Sequence, residues 1–167
     1  MSSEEIEVLV VGAGQAGIAM SEHLGSQGIP HLVVERDRIA ERWRSWRWDS
    51  LVANGPAWHD RFPNQDFAVD PDAFAGKEQV ADYFVAYAEK IDSPIRTGVA
   101  VTEVEADRVM LSSGETLAAA TTIWCAGMRA STLTAQLPVP RDDFGRVAVD
   151  DYLRVTGAPG VFAAGDV

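Results

Sequence analysis

Ile6-Glu7-Val8-Leu9-Val10-Val11-Gly12-Ala13-Gly14-Gln15-Ala16-Gly17 decides the fold. Its first half is a β-rich apolar run and reads as a buried strand. Its second half fits G-x-G-x-x-G and opens a helical stretch from Gln15 to about Gln27, stopped by Gly28 and Pro30. His31-Leu32-Val33-Val34-Glu35 follows as a second short strand. Strand, helix and strand in this order make a β-α-β unit, and such units give parallel sheets.

Each glycine has its own task in that setting. Gly12 allows the tight turn, Gly14 lets a pyrophosphate approach the backbone, and Gly17 lets the helix pack close to the strand. Gln15 and Ala16 lie at the helix N-terminus, which offers N–H donors and a partial positive charge to phosphates. Glu35 ends the second strand, where a carboxylate accepts both hydroxyls of an adenosine ribose and repels a 2′-phosphate. The competing reading is a glycine turn without a ligand and a surface glutamate. Context and spacing together favour an adenine dinucleotide without the 2′-phosphate.

The composition agrees with a globular domain. Hydrophobic residues make up 47% of the 167, enough for a core and too many for disorder. Lys and Arg number 14 against 25 Asp and Glu, a formal net charge of −11. That balance argues against nucleic acid, which demands a basic face, and against adhesion to anionic lipid. No apolar run approaches the roughly 20 residues that a membrane span needs. Met1-Ser2-Ser3-Glu4-Glu5 lacks the basic region of a signal peptide, so the expected location is cytoplasmic. The single cysteine, Cys125, excludes an internal disulfide framework and reads as a core residue. No metal site is expected.

Beyond Glu35 the pattern changes. From Arg36 to about Pro71 the periodicity is lost, and Trp43, Trp46, Trp48 and Trp58 lie there among clustered arginines. Residues 77–91 regain a helical period, with Val80, Tyr83, Phe84, Tyr87 and Ile91 on one stripe. Short strands are expected at 99–104, 108–111, 116–117 and 121–125. Residues 128–146 read as irregular, and 147–149 and 161–164 are the last strand candidates. No repeat at a fixed short period stands out and no linker is evident, so residues 1–167 read as one domain. His23 and His31 read as structural. His59 is the histidine in a loop with access to a ligand, yet no residue is singled out as a catalytic acid or base.

Thr156-Gly157-Ala158-Pro159-Gly160-Val161-Phe162-Ala163-Ala164-Gly165-Asp166 resembles the second FAD motif of two-dinucleotide-domain flavoproteins. In that family the Asp accepts a hydrogen bond from a ribitol hydroxyl. Ribitol occurs in flavins and not in NAD, so the resemblance implies FAD. Residues 1 to about 104 resemble the N-terminal half of flavin-containing monooxygenases. The matching residues are Val10 to Gly17, Val33-Val34-Glu35-Arg36, Glu41-Arg42-Trp43-Arg44, Arg47-Trp48-Asp49-Ser50-Leu51 and Tyr83 to Tyr87. Residues from about 98 to 167 are more similar to type II NADH dehydrogenases and related pyridine-nucleotide oxidoreductases. That likeness rests on Ile123 to Ser131, on Asp143 to Asp150 and on the Gly-Asp pair. The two stretches overlap at Thr97 to Val104, which includes Val101.

These resemblances imply a Rossmann-like α/β FAD-binding domain with a parallel sheet, helices on both faces and a small antiparallel β-meander. They place FAD against Gly12, Gly14, Gln15, Ala16, Gly17, Glu35, Arg36, Arg42, Trp43, Val101, Ala126, Gly127, Gly165 and Asp166. Trp43 would lie against the flavin, and Arg42 or Arg44 would neutralise phosphate charge. The implied activity is monooxygenation of a small-molecule substrate, with NADPH reducing FAD and oxygen as oxidant. NADH:quinone-type electron transfer is the alternative, and a non-catalytic FAD-binding module needing a partner is a third. Both families carry a second dinucleotide domain for NAD(P)H, whereas this sequence has one G-x-G-x-x-G. The monooxygenase signature F-x-G-x-x-x-H is also broken, with Val80 at the His position after Phe74-Ala75-Gly76. The expectation is therefore an FAD domain without its nicotinamide domain, with a homo-oligomer or a partner chain left open.

Overall fold

The computed structural model describes residues 4–127 and 130–164, and the chain divides into two compact units, Met1–Ala126 and Gly127–Val167. The first unit is built on a six-stranded mixed sheet. In chain order its elements are β1 (Glu4–Val11), α1 (Gln15–Ser26), β2 (His31–Val34), α2 (Glu41–Ser45), α3 (Lys77–Lys90), β3 (Ile95–Arg96), β4 (Val101–Val104), β5 (Arg108–Leu111) and β6 (Thr116–Trp124). The spatial order is β3-β2-β1-β6-β5-β4. β3, β2, β1 and β6 run parallel, and β6, β5 and β4 form an antiparallel meander.

Val8 to Val11 of β1 form an uninterrupted apolar run, and its side chains pack on both faces of the sheet. Val8 and Val10, with Val33 of β2, pack on Leu24 of α1 and on Ala13. Leu9 and Val11, with Val34, pack on Val109, Leu111 and Leu117 of the meander. The stripe expected on α3 is formed: Val80, Tyr83, Phe84 and Tyr87 are buried together with Ile18 of α1.

Three sequence expectations change. The two strands expected at 116–117 and 121–125 are one, β6, because Glu5, Ile6 and Val8 of β1 pair with Ala118, Ala119 and Thr121. Neighbouring strands thus override the weak β-propensity of the Ala118-Ala119-Ala120 run. β3 was not foreseen. It has two residues, too few for any period, and is held where Val33 and Glu35 donate to the carbonyls of Pro94 and Arg96, each at 2.9 Å. The aperiodic stretch after Glu35 contains α2 and then a loop fastened to α3. There Phe62 stacks on Tyr87 with centroids 4.6 Å apart and Phe67 on Tyr83 at 3.8 Å. The Tyr83 hydroxyl accepts from the Phe62 N–H at 2.6 Å and donates to the Gln65 carbonyl at 2.8 Å.

The second unit has a small core of Val139, Val147 and Val155. The strands expected at 147–149 and 161–164 amount to single bridges, Arg141↔Val147, Val149↔Val155 and Arg154↔Phe162. The reason is a repeat that the sequence reading overlooked: Asp142-Asp143-Phe144-Gly145-Arg146-Val147 recurs eight residues later as Asp150-Asp151-Tyr152-Leu153-Arg154-Val155. Both copies fold alike. Asp142 Oδ1 accepts the N–H groups of Phe144 and Arg146, each at 2.9 Å, and Oδ2 accepts Arg146 Nε at 2.6 Å. Asp150 treats Tyr152 and Arg154 in the same way, at 2.9, 3.0 and 2.7 Å. Each arginine lies over the aromatic ring of its own copy. Two tight turns between Asp142 and Val155 leave little room for extended pairing.

The contact between α1 and β1 is the tightest requirement of the first unit. A Cβ on Gly17 would fall on the carbonyl oxygen of Gly12, far inside contact distance. Gly17→Ala should therefore force α1 away from β1 and cost about 1–3 kcal/mol or more of stability. A lower urea midpoint at unchanged slope checks this. An unshifted midpoint would mean that the helix can slide without loss.

Candidate functional site

The glycine turn joins the carboxyl end of β1 to the amino end of α1. Gly12 adopts φ +105°, a left-handed conformation that side chains resist, and its N–H donates to the Val34 carbonyl at 2.8 Å. A Cβ at Gly12 would also stand 2.7 Å from the Cys125 carbonyl oxygen and 3.2 Å from the Ala126 Cα. Ala126, just past β6, is thus brought to the turn.

Gly14 is the N-cap of α1, in an extended conformation that any residue adopts. Nothing lies within 4 Å of where its Cβ would be. The first turn of α1 has no capping side-chain bond and no acidic residue, and Gln15 and Ala16 are exposed. Backbone donors, the positive end of a helix and open space in front of them are what a diphosphate requires. The residues present fit the anionic middle of FAD.

Glu35 is tied to the same turn. Its Oε2 accepts the Ala13 N–H at 2.7 Å and its Oε1 accepts the Asp37 N–H at 2.9 Å. A carboxylate has about four lone-pair sites, so each oxygen keeps capacity for a further donor. These two bonds were not foreseen. The signal available was an acidic residue at the end of a strand that pairs beside the glycine turn.

A cavity of about 630 Å³ opens beyond Glu35, lined by Asp37, Arg38, Glu41, Ser45, Trp46, Thr97 and Gly98. Sequence reasoning did not find it, because its walls come from α2 and from the segment before β4. In its wall Arg38 grips Glu41 with bonds of 2.6 and 3.1 Å, and Ser45 donates to the same carboxylate. The bond from Arg38 is the main cause that pulls the Glu41 pKa down to about 2. The Gly98 N–H bonds to the Asp37 carbonyl and the Val99 N–H to the Glu35 carbonyl. Val101 is therefore only two residues from a direct link to Glu35. It is half-buried, and it packs with Val99 on the cluster that holds Val34.

Other expected residues lie in varied settings. Arg36 is exposed and pairs with Asp37 at 3.1 Å. Arg42 and Trp43 are both on α2, and Trp43 stands edge-on to Phe84 of α3 at 6.2 Å. Arg44 pairs with Glu78 at 3.2 Å and Asp82 at 2.8 Å. Cys125 is half-buried beside the α1-side cluster, and burial pushes its thiol pKa up. His59 is exposed. Its Nδ1 lies 2.7 Å from Asp60 Oδ1, while Asp60 Oδ2 accepts the Gly55 N–H at 2.8 Å. The His59 bond is the main cause that lowers the Asp60 pKa. In the second unit Gly127 is exposed, with φ +91°. Gly165 and Asp166 lie outside the described residues. No helix among the described residues is long and apolar enough to cross a membrane.

Two family models match parts of this chain. Residues 5–44 match the model of an FAD binding domain, and residues 73–167 match that of pyridine nucleotide-disulphide oxidoreductases. An NADH dehydrogenase-like protein of Mycobacterium tuberculosis is 69% identical over 170 residues, which is 100% of this chain and 36% of that protein. An indole-3-pyruvate monooxygenase of Oryza sativa is 31% identical over 137 residues, 78% of this chain and 34% of that protein. The chain thus spans about a third of the length of these curated relatives. Among solved structures, a flavin-containing monooxygenase from Stenotrophomonas maltophilia superposes with TM-score 0.66 at 22% identity, over 77% of this chain and 41% of that one. An FAD-dependent oxidoreductase fold, a matching FAD-domain model and the match over residues 73–167 lead to one conclusion: the chain belongs to the pyridine nucleotide-disulphide oxidoreductase family.

Proposed function

We propose that this chain holds FAD on the turn from Gly12 to Gly17, as the FAD-binding part of a flavin-monooxygenase-type oxidoreductase. The observation that carries the reading is the open space at Gly14 in front of an α1 terminus without a side-chain cap, with Glu35 anchored to the same turn. In this reading the N–H groups of Gly14, Gln15 and Ala16 hold the diphosphate, and Glu35 accepts the ribose hydroxyls. Arg36, Arg42, Trp43, Val101 and Ala126 complete the contact set within the first unit. Glu35 already has each oxygen bonded to a backbone N–H, so its carboxylate is oriented before the ribose arrives. The same negative charge rejects a 2′-phosphate.

When bound, FAD supplies the two-electron redox chemistry, and the protein supplies binding and orientation. In the whole protein the reductant is NAD(P)H and the oxidant is oxygen, with a small-molecule substrate oxygenated. NADH-driven electron transfer to a quinone-type acceptor is the second reading. It is favoured by the 69% identity to a protein named NADH dehydrogenase-like. Oxygen uptake matched by oxygenated product supports the first reading, and quinone reduction without product oxygenation supports the second.

Three outcomes are expected. Gly14→Ala should leave stability within about 1 kcal/mol, because the added methyl meets nothing in the chain. It should nonetheless weaken FAD at least about tenfold in a calorimetric titration, since the methyl occupies the place of the ligand. Glu35→Ala should cost about 1.5–3 kcal/mol of FAD binding, the usual worth of a hydrogen bond to a charged group. Unchanged affinity in both variants would remove the FAD site from this turn. Dithionite should bleach the FAD-loaded chain, whereas NADPH and NADH should reduce it slowly. This sequence has one G-x-G-x-x-G, and fixing a nicotinamide in place is worth roughly 7–11 kcal/mol of barrier. Fast saturable reduction in an anaerobic stopped-flow experiment would show a nicotinamide site within these residues.

A further inference from the structure

Lys77 is the first residue of α3, and a cation there opposes the positive end of the helix dipole. A residue that violates its local rule usually serves a tertiary one. The ammonium of Lys77 turns back to the end of α2. Its Nζ donates to the Arg44 carbonyl and to the Arg47 carbonyl, each at 3.4 Å, and to Asp49 Oδ1 at 2.6 Å. The side chain is only 14% exposed, whereas that of Asp49 is fully exposed. The Lys77 N–H also donates to the Leu51 carbonyl at 3.0 Å, so residues 44–51 are fastened to one point.

α2 has five residues, too short to be stable alone. Carbonyls at a helix end without partners are costly, and a cation placed on them is favourable in charge as well. Two further contacts fix the rotation of α2. Trp43 meets Phe84, and Arg44 reaches Glu78 and Asp82 on α3. The Arg47 side chain then lies over the Trp43 ring, 5.7 Å from its centroid.

We infer that Lys77 is a positioning residue for FAD: by capping the α2 end it holds the segment that presents Arg42 and Trp43. The inference rests on the FAD reading above and extends it to a residue remote in sequence from the glycine turn. Lys77 touches the backbone of that segment and acts on the cofactor only through it.

The test is Lys77→Met in the full chain, titrated with FAD. Affinity should fall at least about tenfold, and the visible circular dichroism of the bound flavin should change shape at saturation. Hydrogen exchange should quicken in residues 41–49 and stay unchanged in β1 and α1. Asp49→Asn leaves the ammonium on both carbonyls, so its FAD affinity should stay within about fivefold of the parent, as for an exposed ion pair. Wild-type affinity with an unaltered flavin spectrum in Lys77→Met overturns the proposal. So does a Lys77→Met chain that fails to fold, because Lys77 would then hold the domain and not the segment. An equal loss in Asp49→Asn also overturns it, in favour of the surface ion pair. A parent chain that binds no FAD overturns the FAD reading itself, a result none of the other outcomes produces.

Discussion

The carbonyl oxygen of Gly12 occupies the space that a side chain at residue 17 would need, and the rest of the first unit hangs on that approach. With α1 pressed against β1 there, Ile18 is fully buried and reaches the core that α3 supplies. Leu24 reaches Val8, Val10 and Val33. The same approach sets the start of α1 at the end of β1, so the helix dipole and the first N–H groups face the turn. A helix held further out would lose both the packing and the aim of those donors.

A polar knot holds the middle of α1 in place. Ser21 is 2% exposed, yet its hydroxyl lies 2.7 Å from His31 Nε2 and 2.5 Å from the Ser93 hydroxyl. His31 Nδ1 faces the Ile29 carbonyl at 2.9 Å. A carbonyl only accepts, so Nδ1 carries the proton. With the ring neutral, Nε2 then accepts from Ser21, and Ser93 donates to Ser21. α1, the start of β2 and the turn after α3 are joined in one satisfied chain of bonds. His31 earns its structural reading by this geometry, because a buried hydroxyl left without partners is costly.

How much of this was legible depended on whether the deciding information was local. β1, α1 and β2 were readable because Val8 to Val11, the glycine turn and the stop at Gly28 all lie within a few residues of one another. The stripe on α3 was readable for the same reason. β3 was not, since two residues carry no period and their pairing is decided by β2. β6 was split because three alanines say little until β1 is beside them. The doublet at 142–146 and 150–154 escaped for another reason. Its likeness lies in carboxylates that cap turns and in arginines over rings, and a search tuned to hydrophobic period does not see such chemistry. At the candidate site the glycines and Glu35 were found in sequence. The bond from Ala13 to Glu35, the cavity walled by α2 and the clasp at Lys77 depend on contacts across 22, 60 or 33 positions. Contacts of that span, Asp37 to Thr97 for the cavity, follow from the assembled sheet and not from any motif.

Charge poses a last question for a chain of net −11 that is read as binding an anionic cofactor. The arginines after Glu35 look from the sequence like a basic patch, but the structure distributes them among acids. Arg36 faces Asp37, Arg38 faces Glu41, and Arg44 faces Glu78 and Asp82. Of the two arginines expected to meet phosphate, Arg44 gives its guanidinium to Glu78 and Asp82 of α3. Attraction at the turn must then come chiefly from fixed dipoles close by. At 0.1 M ionic strength charges more than about 10 Å away are largely screened, so the distant carboxylates that make up the net charge count for little there. The first turn of α1 lacks acidic residues, which leaves the local field of the helix terminus unopposed by its own side chains. An acidic surface and an anion-binding turn are thus compatible in one small unit, provided that the turn is made of backbone.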